Sequence, residues 1–151
     1  MPEAVMTGGC QCGSKRYALA SEPRVSLCFC RMCQKAGGNY FGAFANVAAT
    51  DLSWKTDKPS IFSSSEAAER GFCEKCGTSL TFQYRGSQRI SVTAGSLDEP
   101  ARVKPNVVHG MEGKPAWFDE LCQMAGTRTE DDVPPEKLAR LASRQHPDHD
   151  G

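Results

Sequence analysis

Eight cysteines punctuate this chain of 151 residues, and seven of them fall into three tight sets. Cys10 and Cys12 form the first, Cys28, Cys30 and Cys33 the second, and Cys73 and Cys76 the third. In an exported protein such thiols would first suggest disulfides. The chain opens Met1-Pro2-Glu3-Ala4-Val5-Met6, with neither a basic flank nor an apolar run, so the expected compartment is the cytoplasm. Grouped thiols in a reducing compartment point to metal.

Structural zinc asks for four thiolates or imidazoles, most often as two close pairs from separate parts of the chain. Cys73-Glu74-Lys75-Cys76-Gly77 has the form of one pair. Two intervening residues let the chain turn so that both sulfurs face one centre, and the glycine that follows can take a positive φ. Cys10-Gln11-Cys12-Gly13 is spaced more closely and needs a local bend, which Gly9 and Gly13 permit. The expectation is that Cys10, Cys12, Cys73 and Cys76 close one four-thiolate site.

Cys28-Phe29-Cys30-Arg31-Met32-Cys33 offers three thiolates from one short stretch. Three protein ligands leave a coordination position for water or substrate, which is how catalytic zinc differs from structural zinc. On spacing alone a fourth ligand could still come from Cys122 or His109, or two of the thiols could join Cys73 and Cys76. Three thiolates on a divalent ion carry one net negative charge, so Arg16, Arg31 and Lys35 are candidates to sit nearby and pair with a ligand's carboxylates. His146 and His149 belong to a stretch that reads as a solvated tail, and Trp54 and Trp117 as core or pocket wall.

The elements that must position these sulfurs read as strands. Tyr17 to Ala20 and Val25 to Cys30 suit extended chain around a Ser21-Glu22-Pro23 turn, predicting a hairpin with the first two cysteine sets at its ends. Tyr40 to Val47 predicts a bent strand, with further strands at Leu52 to Trp54 and Ile61 to Ser63. Leu80, Phe82 and Tyr84, then Ile90, Val92 and Ala94, alternate with polar residues and predict a hairpin across Arg85-Gly86-Ser87. Pro134 and Pro135 open one short helix through Ala142, expected to dock by its apolar face. The fold class is therefore mainly β, a compact domain of short strands over residues 1–126, followed by an extension over 127–151 with a short helix and a polar tail.

Lys plus Arg and Asp plus Glu both number 18, so no global field draws in nucleic acid or an acidic membrane. No stretch of eighteen apolar residues occurs to cross a membrane. The partners expected are small molecules, with self-association left open.

Taken together, three stretches resemble the glutathione-dependent formaldehyde-activating enzyme (GFA) family. They are Gly8-Gly9-Cys10-Gln11-Cys12-Gly13 with Arg16-Tyr17, Cys28-Phe29-Cys30-Arg31-Met32-Cys33-Gln34-Lys35 with Gly37, and Arg70-Gly71-Phe72-Cys73-Glu74-Lys75-Cys76-Gly77-Thr78-Ser79-Leu80. Gly95-Ser96-Leu97-Asp98 and Lys114-Pro115-Ala116-Trp117 look like later landmarks. The resemblance implies a fold of several coiled β-sheets, shared with zinc proteins that assist small guanine-nucleotide-binding proteins. It implies structural zinc on Cys10, Cys12, Cys73 and Cys76 and catalytic zinc on Cys28, Cys30 and Cys33. It also implies a carbon–sulfur lyase interconverting S-hydroxymethylglutathione with glutathione and formaldehyde, so that the small-molecule partners would be a thiol and an aldehyde. Phe29 stands where the family often has histidine, which bears on the substrate. The alternative is a non-catalytic zinc module that binds glutathione or a protein partner.

Overall fold

A computed structural model describes residues 3–150; Met1, Pro2 and the last residue of the expected tail, Gly151, lie outside it. The described residues form ten strands in two sheets. The smaller sheet joins β1 (Met6–Gly9), β2 (Arg16–Leu19) and β5 (Leu52–Trp54) in the order β1-β2-β5, all antiparallel. The larger contains β3 (Arg24–Cys28), β4 (Gly42–Ala48), β6 (Ser60–Ser63), β7 (Ala68–Phe72), β8 (Ser79–Tyr84), β9 (Arg89–Thr93) and β10 (Val107–His109). Its order is β10-β3-β4-β9-β8-β7-β6, with only β10 and β3 parallel. The mainly β reading holds.

The first expected hairpin does not form. β2 pairs with β1 and β5, while β3 pairs with β4 and β10 in the other sheet. Ser21-Glu22-Pro23 is thus a corner between sheets. Proline lacks an N–H for a ladder and its ring restrains the residue before it, which suits a chain leaving one sheet for another. The hairpin of β8 and β9 is present, with Thr81 opposite Val92 and Phe82 opposite Ser91.

That register has a consequence for the site. Residues directly opposite share a face and successive residues alternate, so Val92 and Phe82 project to opposite faces of the large sheet. Val92 lies opposite Ala45 on β4, and both are fully buried with Tyr17, Leu19, Val47 and Leu80 in the core between the sheets. Phe82 shares the other face with its β7 partner Arg70, and its ring contacts Phe44 at 5.8 Å.

Between β3 and β4 runs a helix not expected from the sequence, α1 (Arg31–Gly37). Arg31 to Ala36 are mostly good helix formers, but the segment is only two turns long and its cysteines mask any apolar period. Gly38 closes it in the left-handed region. The late helix is shorter than expected: α2 (Thr129–Asp132), α3 (Pro135–Leu138) and a 3-10 turn, with Leu138 and Leu141 exposed rather than docked. The tail beyond it returns to the body of the protein. The His146 N–H donates to the Gln11 carbonyl at 2.7 Å. No described helix is long and apolar enough to cross a membrane.

Candidate metal centres

Two groups of cysteines bring their sulfurs within 4.8 Å of one another: Cys10, Cys12, Cys73 and Cys76, and separately Cys28, Cys30 and Cys33. All eight cysteines of the chain are free.

The four-sulfur group is built from two matching turns. After β1 the Gly13 N–H returns to the Cys10 carbonyl at 3.0 Å, and after β7 the Gly77 N–H returns to the Cys73 carbonyl at 2.8 Å. Both glycines sit at φ near +80°, a conformation that costs a residue with a Cβ. The Gln11 N–H donates to Thr78 Oγ1 at 3.0 Å and ties the two turns together. Sulfurs about 2.3 Å from a tetrahedral ion must lie about 3.8 Å apart. Cys10 and Cys12 are 3.5 Å apart and Cys12 and Cys73 3.8 Å, so the donor set fits such an ion.

Electrostatics agree with that fit. Burial pushes the Cys10 thiol up, while the Ser14 hydroxyl and N–H pull Cys12 down. At Cys76 burial also acts upward, but the Thr78 hydroxyl and backbone outweigh it and bring the thiol to about 6. In a partly buried cluster that favours some thiolates and resists others, a cation would compensate the charge that burial penalises.

The three-sulfur group sits where β3 gives way to α1. Cys28 ends the strand, opposite Gly42 of β4. Cys30 caps the helix, its Sγ accepting from the Cys33 N–H at 3.4 Å, and Cys33 is buried on the first turn. Burial pushes the Cys28 thiol up to about 12. Burial would raise Cys30 too, but the Cys33 N–H and the neighbouring thiols outweigh it and hold that thiol below its ordinary value.

From the far side β10 closes on this junction. His109 pairs with Cys28, and its carbonyl accepts the Phe29 N–H at 3.0 Å. A Cβ at Gly110 would lie 2.5 Å from the Cys30 nitrogen and 3.1 Å from Cys28 Sγ, so only glycine fits. Neither His109 nor Cys122 belongs to this sulfur group, and Cys73 and Cys76 lie in the other. Phe29 is buried in an aromatic cluster, 4.7 Å from the Phe118 ring and 5.7 Å from Phe41.

A cleft of about 1000 Å³ opens on the Phe82 face of the large sheet, with Cys33, Phe44, Arg70, Arg16 and Lys35 in its walls. Its most informative residue carries no role in the sequence reading above. Arg70, from β7, donates through Nη2 to Cys33 Sγ at 3.5 Å and through Nε to Ser64 at 2.9 Å, and its guanidinium lies 4.8 Å from the Phe82 ring centroid. It has no acidic partner within ion-pair distance among the described residues. The sequence signal was its place three residues before Cys73.

The three cations expected near the sulfurs are dispersed. Arg16 is buried and grips Asp98 with two hydrogen bonds of 2.8 and 2.5 Å. Lys35 is exposed at the cleft wall, and Arg31 is exposed by a shallower hollow with Gln34 and Tyr40. Trp54 packs edge-on to Tyr17 in the core, and Trp117 edge-on to Tyr40.

Fold and sulfur placement together define a class: a mainly β chain in which two distant turns supply four sulfurs and a strand–helix junction supplies three. The sequence profile described as glutathione-dependent formaldehyde-activating enzyme matches residues 5–112, and the chain belongs to that family. A Schizosaccharomyces pombe protein named as an uncharacterized lyase is 35% identical over 85 residues, covering 56% of this chain. The chain spans 60% of that relative's length. A crystal structure of a Rhodobacter sphaeroides protein has a TM-score of 0.51 at 21% identity and covers 68% of this chain and 99% of its own, a likeness of fold.

Proposed function

We propose that this chain is a zinc-dependent carbon–sulfur lyase that interconverts S-hydroxymethylglutathione with glutathione and formaldehyde, or acts on a related thiol adduct. Family membership supports the general class. The observation that carries the site is that the sulfurs of Cys28, Cys30 and Cys33 lie within 4.8 Å of one another and that Cys33 among them lines an open cleft with Arg70 beside it.

In this reading Cys10, Cys12, Cys73 and Cys76 hold a structural zinc that staples β1 to β7, and Cys28, Cys30 and Cys33 hold a catalytic one. Zinc there supplies a positive charge that favours the thiolate of glutathione at neutral pH. The substrate sulfur's lone pair forms the S–C bond to the carbonyl carbon of formaldehyde. The C=O π pair moves to oxygen, which takes a proton to become the hydroxyl; lysis runs the same path backwards. Arg70 sits where a guanidinium can neutralise excess negative charge at the sulfurs and meet the developing oxygen. The cleft would position thiol and aldehyde together, and that proximity adds to the activation of the sulfur.

Exchange spectroscopy by NMR on glutathione and formaldehyde, with and without the zinc-loaded protein, tests the reading. Cross-peaks between free formaldehyde and the adduct should strengthen with protein. No acceleration at full zinc occupancy leaves a binding module.

A further inference from the structure

Arg16 carries two carboxylates, and they come from very different places. Asp98 takes the Nη1 and Nη2 edge; both side chains are under a tenth exposed, and Thr7 donates to the same carboxylate at 2.5 Å. The other edge, Nε and Nη2, donates to Asp150 at 3.0 and 2.6 Å across 134 residues of sequence. Four of the five N–H donors of the guanidinium are thereby spent.

The two carboxylates are not equivalent. Asp98 already balances the charge of Arg16, so Asp150 is held by a fork of N–H groups and not by unmatched charge. Its side chain is 45% exposed. The strap that brings it carries a backbone hydrogen bond from His146 to Gln11 and a half-buried His146 ring whose Cδ2 would lie 2.3 Å from a Cβ on Gly13. His146 Nδ1 is buried without a hydrogen-bond partner, so the docked strap leaves a polar atom unsatisfied. Gln145, His146 and Asp148 line the cleft together with Arg16, Asp98, Cys33 and Arg70.

We infer that the Nε–Nη2 edge of Arg16 is a carboxylate-binding site in this cleft, filled by the chain's own Asp150 in the free protein and yielded to the carboxylate of an incoming small molecule. Asp98 fixes the guanidinium plane in advance, so the second fork is preorganised and binds a carboxylate without ordering a side chain. The exchange is isoelectric, one carboxylate for another, and leaves Arg16 paired throughout. The strap therefore competes with the ligand and lowers its apparent affinity. The identity of that ligand as glutathione rests on the proposed function; the Arg16 site does not.

The test is calorimetric titration of the zinc-loaded full chain and its Asp150→Asn variant with glutathione and, separately, with glutarate, which has carboxylates and no thiol. Removing the competing charge should lower the Kd of at least one ligand roughly three- to ten-fold, the range of a partly exposed charge-assisted pair. Amide exchange at His146 should also speed up when wild-type protein binds the ligand, because the strap leaves. Tighter binding of glutarate with no glutathione binding to either protein keeps the site and removes the glutathione reading. No gain for either ligand, or protection of the His146 amide by ligand, overturns the inference.

Discussion

The guanidinium of Arg70 and the sulfur of Cys33 meet at 3.5 Å although 37 residues separate them. β7 delivers the arginine and α1 the cysteine, so their contact exists only because both elements face the same cleft. A partner that hydrogen-bonds a metal-binding thiolate tunes its donor strength and orientation.

Replacing Arg70 with Gln should therefore lower kcat/KM of the proposed reaction about 10- to 100-fold while leaving zinc content within error of wild type. Cobalt substitution gives the readout a merely structural role would not move: the sulfur-to-metal charge-transfer band should shift in Arg70→Gln and return towards wild type in Arg70→Lys. An unshifted band with unchanged kcat/KM removes Arg70 from the site.

The two sulfur groups should differ under mutation. Cys73 is fully buried and belongs to the core cluster, so Cys73→Ser should lower the thermal midpoint by more than about 10 °C or prevent folding, since structural zinc contributes folding energy. Cys30→Ser should stay within a few degrees of wild type, lose about one zinc per chain, and lose turnover. Equal losses of structure, followed by circular dichroism, would contradict the division between scaffold and active centre.

Gly110→Ala should act as a local lesion. The new Cβ meets the Cys30 nitrogen at 2.5 Å from a backbone at φ +63°, which costs on the order of 1–3 kcal/mol. Zinc affinity at Cys28, Cys30 and Cys33 should fall by about 10-fold or more, with far-ultraviolet circular dichroism retained. Unchanged zinc retention against a chelator would show that the turn after β10 does not position those sulfurs.

Acid should weaken the Arg16 and Asp98 pair in a defined window. Burial alone would raise the Asp98 pKa, but the Arg16 guanidinium and the Thr7 hydroxyl outweigh it and hold it below its ordinary value. A folded-state pKa lower than the unfolded one gives stability that is complete above about pH 4 and lost as pH falls through the folded value. Asp98→Asn should cost on the order of 1–2 kcal/mol near pH 7, because Asp150 still pairs with Arg16, and the gap from wild type should narrow below about pH 4. Denaturant melts at pH 7 and pH 3 measure this; a gap of constant size rejects it.

Much of the scaffold could be read from the chain. Turn chemistry at Cys73-Glu74-Lys75-Cys76-Gly77 is local, and period-two alternation marks β8 and β9 wherever one face is buried. The late helix was legible from Pro134-Pro135 and the spacing of Leu138, Leu141 and Ala142, but its expected docking was not, because a local period does not say whether another element covers that face. α1 was hidden because two turns are too few to show a helical pattern when a cysteine occupies an informative position. The β2–β3 hairpin failed because a turn signal says that the chain reverses and not that the two arms share a sheet.

By itself the sequence determined which sulfurs are available and in what groups, because ligand spacing is set by covalent chain geometry over a few residues. Only the tertiary structure decided what surrounds them. Arg70 beside Cys33, Gly110 against Cys30 and the double occupancy of Arg16 by Asp98 and Asp150 all join residues far apart in the chain. Such pairings follow from sheet order and register, which no local pattern encodes, since they depend on every strand burying its apolar face at once.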